Sequence, residues 1–135
     1  MVKILFDTMT LIDILTDRRF KRLASFIDQE KIQAVISTIS LTEIFKVVGS
    51  KDEIKAKALI DWIVASKLEK RSVDVSVAKK AGELKLHYNL PTADALIAAT
   101  GIVSGATHVV TEDVHFQSVK SLIKPIGLKQ AERMV

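Results

Sequence analysis

The chain of 135 residues contains no cysteine, which excludes disulfides, thiolate metal sites and cysteine nucleophiles. It has three histidines, His87, His108 and His115, whose spacing fits neither a metal-ligand motif nor a histidine-centred catalytic triad. We interpret all three as structural or incidental. Aromatic residues make up 5% of the chain, and Trp62 and Tyr88 are too isolated to form a base-stacking platform. We expect Trp62 to anchor the core or a subunit interface instead.

Long apolar runs are lacking as well. No stretch of the sequence approaches the roughly 20 apolar residues that a membrane-spanning helix requires. The N-terminal segment also lacks the signal-peptide pattern of a charged start, an apolar run and a small-residue cleavage site. We therefore expect a cytoplasmic protein that has no membrane partner.

The composition that remains is typical of a folded domain. Hydrophobic residues make up 48% of the chain and charged residues 27%, and the length suits one domain over residues 1–135. The formal net charge is +4 and the pI is near 9.4. A basic balance is compatible with a polyanionic partner, but many basic proteins bind no nucleic acid, so the charge favours such a partner only modestly.

Short apolar runs alternate with helical patterns along the chain. The predicted strands are VKILF (2–6), IQAVIST (32–38), EKRSVDV (69–75), THVVT (107–111) and LIKPI (122–126). The predicted helices are 8–17, 20–29, 40–49, 51–66, 76–88, 92–105 and 128–135. This alternation predicts a parallel α/β sheet that is covered on both faces. In such sheets ligands bind outside the carboxyl ends of the strands.

Four acidic residues stand at such places, at the end of a predicted strand or in the first turn of the helix after it: Asp7, Glu43, Asp94 and Asp113. Each alone has a structural explanation. Asp7 can cap the following helix, and Glu43 with Ser40 matches a capping box. Asp94 lies behind Thr92, a good N-cap residue, and complements the helix dipole. Asp113 can begin a final turn in the same way.

Capping does not require an acid at the end of nearly every core element, so the joint pattern indicates a site. Neighbouring carboxylates repel one another, and at least one has a raised pKa unless a cation offsets them. Mg²⁺ or Mn²⁺ suits a site made of oxygen ligands. Such a site can hold a phosphodiester, orient a water molecule and stabilise the leaving oxygen. The residues therefore favour metal-assisted phosphodiester hydrolysis.

With these residues in place, the sequence resembles the PIN domain family. The matching segments are ILFDTMTLIDIL, ISTISLTEIF, LPTADALIAATG and VVTEDVHF, in the order and spacing of the family and over nearly the whole chain. The resemblance implies a three-layer α/β/α sandwich with a mainly parallel central sheet. It also implies a ribonuclease that depends on Mg²⁺ or Mn²⁺ and leaves a 5′-phosphate and a 3′-hydroxyl.

Carried over position by position, the resemblance assigns the acidic site to Asp7, Glu43, Asp94 and Asp113. Our hypothesis is that the three aspartates ligate the ion directly or through water, and that Glu43 ligates it or positions and deprotonates the attacking water. Thr8 and Thr111 match the hydroxyl residues beside the first and last acids, and would orient the carboxylates or a water near the ion. In the last motif, many relatives have a second aspartate where this chain has His115, so one-metal and two-metal mechanisms both remain open.

A PIN domain of this size most resembles the VapC-like toxins of type II toxin–antitoxin pairs. That resemblance implies an RNA substrate, a small VapB-like antitoxin as partner, and a homodimer. Two alternatives remain at this stage, namely an RNA maturation or quality-control nuclease without an antitoxin, and a catalytically weak binding protein with the same fold. The sequence does not reveal the RNA target or the cleavage sequence.

Overall fold

The computed structural model describes residues 2–134, and its strands and helices alternate as the sequence pattern predicts. Over that range the sheet has five strands: β1 (Lys3–Phe6), β2 (Gln33–Ser37), β3 (Glu69–Arg71), β4 (His108–Val110) and β5 (Lys124–Ile126). Within the same range there are seven α-helices: α1 (Thr8–Thr16), α2 (Lys21–Asp28), α3 (Ile39–Gly49), α4 (Glu53–Ala65), α5 (Val75–Tyr88), α6 (Thr92–Val103) and α7 (Leu128–Arg133). Short 3-10 helices span Arg18–Phe20 and Val114–Val119.

All neighbouring strands are parallel, in the order β3-β2-β1-β4-β5. The chain therefore starts in the middle of the sheet, builds outward through β2 and β3, and then returns to add β4 and β5 on the other side of β1. The point where this order reverses lies between β1 and β4. In open parallel sheets, the carboxyl ends of the strands at such a point border the usual ligand crevice.

Side-chain alternation along the strands divides the core into two layers. Ile4 and Phe6 of β1 pack on one face, in a buried cluster that includes residues of α1, α2, α3, α4 and α7. Leu5, between them, points to the opposite face and packs with residues of α5, α6 and the second 3-10 helix. The predicted three-layer α/β/α sandwich is confirmed, and within the described residues the sheet is parallel throughout.

The differences from the predicted elements concern their ends. The strand β1 begins at Lys3 rather than at residue 2, and β3 covers three residues of the seven predicted for it. Val135, the last residue of the predicted C-terminal helix, lies outside the described residues. Trp62 is 42% exposed on α4, so its predicted role as a core anchor is wrong, whereas its predicted role at an interface stays a prediction. None of the helices in residues 2–134 combines the length and apolar character that a membrane crossing requires.

Candidate active site

The register of the sheet brings the first and last acidic segments together. Phe6 of β1 pairs with Val110 of β4 as the last register pair of the two strands. The next residues, Asp7 and Thr111, therefore leave the sheet side by side at its carboxyl edge. The backbone N–H of Asp7 donates to the carbonyl oxygen of Val110 at 3.2 Å, which holds the two chain segments together beyond the strands.

Asp7 is buried, with 6% of its surface exposed, and its carboxylate accepts three hydrogen bonds. Its Oδ1 accepts from the backbone N–H of Thr10 at 2.9 Å and from the Thr10 hydroxyl at 2.7 Å. Its Oδ2 accepts from the hydroxyl of Thr111. Asp7 is thus the N-cap of α1, as the simplest explanation predicted. The same side chain also lines a cavity, so capping and a site role are compatible.

Thr111 connects two of the acids. Its hydroxyl donates to Asp7 and accepts from the backbone N–H of Asp113 at 2.9 Å. Asp113 in turn accepts at Oδ1 from the backbone N–H of His115 at 2.9 Å and caps the 3-10 helix that follows. One buried hydroxyl therefore sets the orientation of the Asp7 carboxylate and the position of the Asp113 backbone.

Glu43 does not form the predicted capping box. The helix α3 begins at Ile39, so Glu43 lies beyond its first turn, and the cap residue Thr38 makes no side-chain cap hydrogen bond. Ser40 is buried inside the helix, and its hydroxyl lies 2.9 Å from the hydroxyl of Thr8. The Thr8 hydroxyl donates to Oε1 of Glu43, which turns this carboxylate towards the start of α1. Glu43 thus bonds to α1 through Thr8 and not to the start of its own helix, as the capping box would require.

Asp94 lies in the first turn of α6, as predicted, although the cap residue is Pro91 rather than Thr92. The pKa of Asp94 is raised to about 6, chiefly by burial and also by the neighbouring carboxylates of Asp113 and Glu43, whereas His115 opposes the rise. The acids of different segments are therefore close enough to influence one another. The raised pKa also means that the ionised carboxylate is destabilised where it stands.

A cavity of about 360 Å³ opens between these segments. Nine residues line it: Asp7, Thr8, Met9, Glu43, Val47, Asp94, Ile97, Glu112 and Asp113. The structure thus brings all four candidate acids to one cavity, with Thr8 in the wall and Thr111 bound to Asp7 behind it. Among the described residues, no lysine or arginine lines this cavity, so the acids face one another without a fixed cation.

The four acids do not form one tight cluster. A carboxylate oxygen of Asp94, one of Asp113 and a ring nitrogen of His115 all lie within 4.8 Å of one another. Asp7 and Glu43 line the same cavity, but each is held by threonine hydroxyls. Hard oxygen donors that crowd a partly buried cavity fit a divalent cation such as Mg²⁺ or Mn²⁺. The donor set therefore fits the ion that the sequence predicts.

The sequence interpretation missed two polar residues at this site. Glu112 lines the cavity beside Asp113, and Nδ1 of His115 lies 3.2 Å from Oδ2 of Asp94 and 2.9 Å from Oδ1 of Asp113. His115 had been interpreted as structural or incidental. The sequence carries two signals for it: its position two residues after Asp113, and its place in the last motif, where many relatives have a second aspartate. An aspartate side chain that accepts a hydrogen bond from the backbone two residues on turns the chain back over itself.

Comparisons with known proteins agree with this fold. The family model of the PIN domain matches residues 4–122 of the chain. No curated protein matches it. Among solved structures, it is similar to a chain in the crystal structure of VapBC2 from Rickettsia felis bound to a DNA fragment from their promoter. That match has a TM-score of 0.72 and 22% identity, and it covers 93% of this chain and 98% of that chain.

Two further solved structures are similar in fold. A chain of the DNA-bound VapBC from Salmonella typhimurium has a TM-score of 0.73 and 20% identity, over 95% of this chain and 99% of that chain. A chain of VapBC-1 from nontypeable Haemophilus influenzae has a TM-score of 0.71 and 18% identity, over 96% and 99%. At identities this low, the likeness to these structures is a likeness of fold.

Proposed function

The chain belongs to the PIN domain family, and from that premise we propose that it is a nuclease that hydrolyses RNA phosphodiester bonds with a divalent metal ion. The reaction is endonucleolytic, and the ion is Mg²⁺ or Mn²⁺. One observation carries this proposal. Four carboxylates from four separate segments line a single cavity, and among the described residues no lysine or arginine lines it with them. Without a cation the carboxylates repel one another, whereas with a bound divalent ion they form a site for phosphodiester hydrolysis.

We assign a role to each acid from its position. Asp7, Asp94 and Asp113 would hold the ion, directly or through water, because they surround the cavity at the carboxyl edge of the sheet. When bound, the ion supplies positive charge that draws the substrate phosphate to the carboxylates and stabilises the leaving oxygen. Thr111 keeps Asp7 oriented for this role through the hydrogen bond between its hydroxyl and Oδ2.

Glu43 lines the same cavity and would position and deprotonate the attacking water. The hydrogen bond from Thr8 holds one of its oxygens and leaves the other available to accept a proton. The water oxygen forms the new bond to phosphorus, and the bond from phosphorus to the 3′ oxygen breaks. The proton of the water passes to Glu43, and the leaving oxygen takes a proton from solvent, which gives a 3′-hydroxyl on one product and a 5′-phosphate on the other.

The experiment that tests this proposal is a cleavage assay on mixed RNA with Mg²⁺, with Mn²⁺ and with a chelator. We expect the parent to cleave only with an ion, and Asp7→Asn and Asp94→Asn to lose at least about a hundredfold in rate, since each keeps the shape and removes a charge. Asp28→Asn is the matched control, because Asp28 is exposed at the end of α2 and does not line the cavity. Equal rates for the parent and Asp94→Asn with Mg²⁺ present would refute the mechanism.

We also propose that the nuclease is the toxin of a type II toxin–antitoxin pair, with a small VapB-like antitoxin and a homodimer as its working state. The similar solved structures support this, because their chains come from VapBC assemblies and, in Klebsiella pneumoniae, from a toxin–antitoxin complex. An apolar groove of about 410 Å³, which includes the half-exposed Trp62, offers a surface for a partner helix. Arg18 and Lys21 at this groove would suit an acidic partner.

The toxin assignment has its own test. Expression of the chain alone should arrest growth, and co-expression with a short open reading frame beside its gene should relieve the arrest. The two proteins should then purify together, and the chain alone should run as a dimer at micromolar concentration. An active nuclease that neither arrests growth nor has such a neighbour would be an RNA maturation enzyme instead.

A further inference from the structure

The side chain of His115 lies against two of the proposed metal ligands. Its Nδ1 is 2.9 Å from Oδ1 of Asp113 and 3.2 Å from Oδ2 of Asp94. These three residues offer one donor atom each, and the donor atoms lie within 4.8 Å of one another. In this chain, therefore, the closest group of donors at the cavity contains a nitrogen and is not made of oxygens alone.

The backbone around His115 is held in place, although its side chain is 55% exposed. Its N–H donates to Asp113, and its carbonyl oxygen accepts from the hydroxyl of Ser118 at 2.9 Å. The next residue, Phe116, is fully buried and packs in the core layer beneath the sheet. The Asx turn at Asp113 therefore fixes the backbone from which Nδ1 reaches the carboxylates of Asp94 and Asp113.

The distances at Nδ1 suit ligands that share one ion. Donor atoms that bind one small divalent ion side by side in octahedral geometry lie about 3 Å apart. Nδ1 lies 2.9 Å from Oδ1 of Asp113 and 3.2 Å from Oδ2 of Asp94, so the nitrogen has this spacing to both carboxylate oxygens. A histidine ring nitrogen is also the commonest metal ligand in proteins. An ion held by these two carboxylates would therefore have Nδ1 within reach as a further ligand.

We infer that His115 is a ligand of the ion through Nδ1, together with Asp94 and Asp113, and that it biases the site towards Mn²⁺ over Mg²⁺. Imidazole nitrogen suits transition metals, whereas Mg²⁺ prefers oxygen and gives up its waters reluctantly. The inference rests on the proposed function, because it concerns the same metal site. It adds the residue that determines which ion this chain selects.

Ion binding to the metal-free protein tests the inference without any assay of activity. Titration calorimetry at pH 7.5 would give the affinities of the parent and three variants for Mn²⁺ and for Mg²⁺. His115→Ala should bind Mn²⁺ at least about tenfold more weakly and change little towards Mg²⁺. His115→Asp restores an oxygen donor and should shift the preference towards Mg²⁺. His87→Ala is the control, since His87 is exposed on α5 and does not line the cavity.

Pulsed electron paramagnetic resonance adds a signature that a merely structural histidine would not produce. Mn²⁺ bound to the parent should show nitrogen hyperfine coupling from a directly bound imidazole, and this signal should persist in His87→Ala and vanish in His115→Ala. Because the first spectrum uses the parent, the result does not depend on whether a variant folds.

The outcomes separate this inference from the function it rests on. Mn²⁺ binding in the parent without nitrogen coupling, or equal or tighter binding in His115→Ala, would overturn the role of His115 and leave the metal-dependent nuclease standing. A parent that binds neither ion, or an Asp94→Asn variant that binds both as well as the parent, would refute the metal site itself. Loss of both the nitrogen coupling and the Mn²⁺ preference in His115→Ala would establish the inference.

Discussion

The hydroxyl of Thr111 donates a hydrogen bond to Oδ2 of Asp7, a residue that lies 104 positions earlier in the chain. The contact follows from the parallel pairing of Phe6 with Val110, because the next residue on each strand leaves the sheet at the same point. The same hydroxyl accepts from the backbone of Asp113. The two ends of the proposed active site are therefore tied together by one buried threonine.

Thr111→Val keeps the shape of this side chain and removes its hydrogen bonds. Oδ2 of Asp7 would then be buried without its hydrogen-bond donor, so we expect the free energy of unfolding to fall by about 1–3 kcal/mol. Urea denaturation with a chelator present measures this loss. Thr111→Ser keeps the hydroxyl and should lose clearly less. If the valine variant were as stable as the parent, the hydrogen bond would contribute nothing to folding.

Asp94 makes the stability of the metal-free protein depend on pH. Because its pKa in the folded state is about 6, above the ordinary value of 3.8, the folded state keeps the proton over this interval and the unfolded state releases it. The stability that the protonated carboxyl contributes is therefore complete below pH 3.8 and is lost as the pH rises through 6. Asp94→Asn carries no such charge and should not show this loss.

The measurement is the difference in unfolding free energy between Asp94→Asn and the parent, at pH 4.5 and pH 7.5 with a chelator. Between pH 4.5 and pH 7.5, we expect the variant to gain roughly 1–2 kcal/mol of stability relative to the parent. This is less than the full effect of a pKa shift of about two units, because the side chain keeps some contact with solvent. A difference that is the same at both pH values would show that Asp94 has an ordinary pKa.

Binding of a divalent ion should offset the loss of stability that the ionised Asp94 causes in the metal-free protein. An ion that binds only the folded state stabilises it by about 2.7 kcal/mol at one hundred times its dissociation constant. We expect Mn²⁺ to raise the thermal midpoint of the parent, to have little effect on Asp94→Asn, and to act on Asp28→Asn as on the parent. Equal shifts for the parent and Asp94→Asn would mean that the ion binds elsewhere.

Gly101 on α6 is a position where close packing requires the absence of a side chain. A Cβ there would lie 2.7 Å from Cδ2 of Leu5 and 2.9 Å from Cδ1 of Ile123, and both side chains are fully buried. We expect Gly101→Ala to lower the free energy of unfolding by about 1–3 kcal/mol through overpacking, despite the better helix propensity of alanine.

Gly82 on α5 is the matched control for this effect. A Cβ at Gly82 would meet no atom within 4 Å, so only helix propensity changes. Gly82→Ala should raise the free energy of unfolding by up to about 1 kcal/mol. Denaturation curves for both variants give the comparison. If Gly101→Ala also raised the free energy of unfolding, the contact of α6 with β1 would be looser than these distances indicate.

Much of the fold was predictable from local patterns. The run VKILF is too short and too apolar for a surface helix. Within it, the adjacent residues Ile4 and Leu5 pack on opposite faces of the sheet, as a buried strand requires. The helix α1 has Asp7 as its N-cap, and α6 has Pro91 as its N-cap and Asp94 in its first turn, which are local signals. Such patterns need no knowledge of distant residues, and they located all four candidate acids.

Other features of the site were not predictable in this way. The capping box at Ser40 and Glu43 satisfies every local criterion, yet both side chains bond to Thr8, more than thirty residues earlier. Buried hydroxyls take the partner that packing supplies, and in this site that partner belongs to another helix. Trp62 is predicted to anchor the core or a subunit interface, and at 42% exposure on α4 it does not lie in the core.

The sequence by itself determined where the strands lie and that acidic residues follow several of them, because burial period and turn chemistry act over a few residues. Only the tertiary structure decided which donors meet. The parallel register sets Thr111 against Asp7, and the turn at Asp113 sets His115 between two carboxylates. Contacts of this kind depend on how whole elements pack, and no short stretch of chain contains that information.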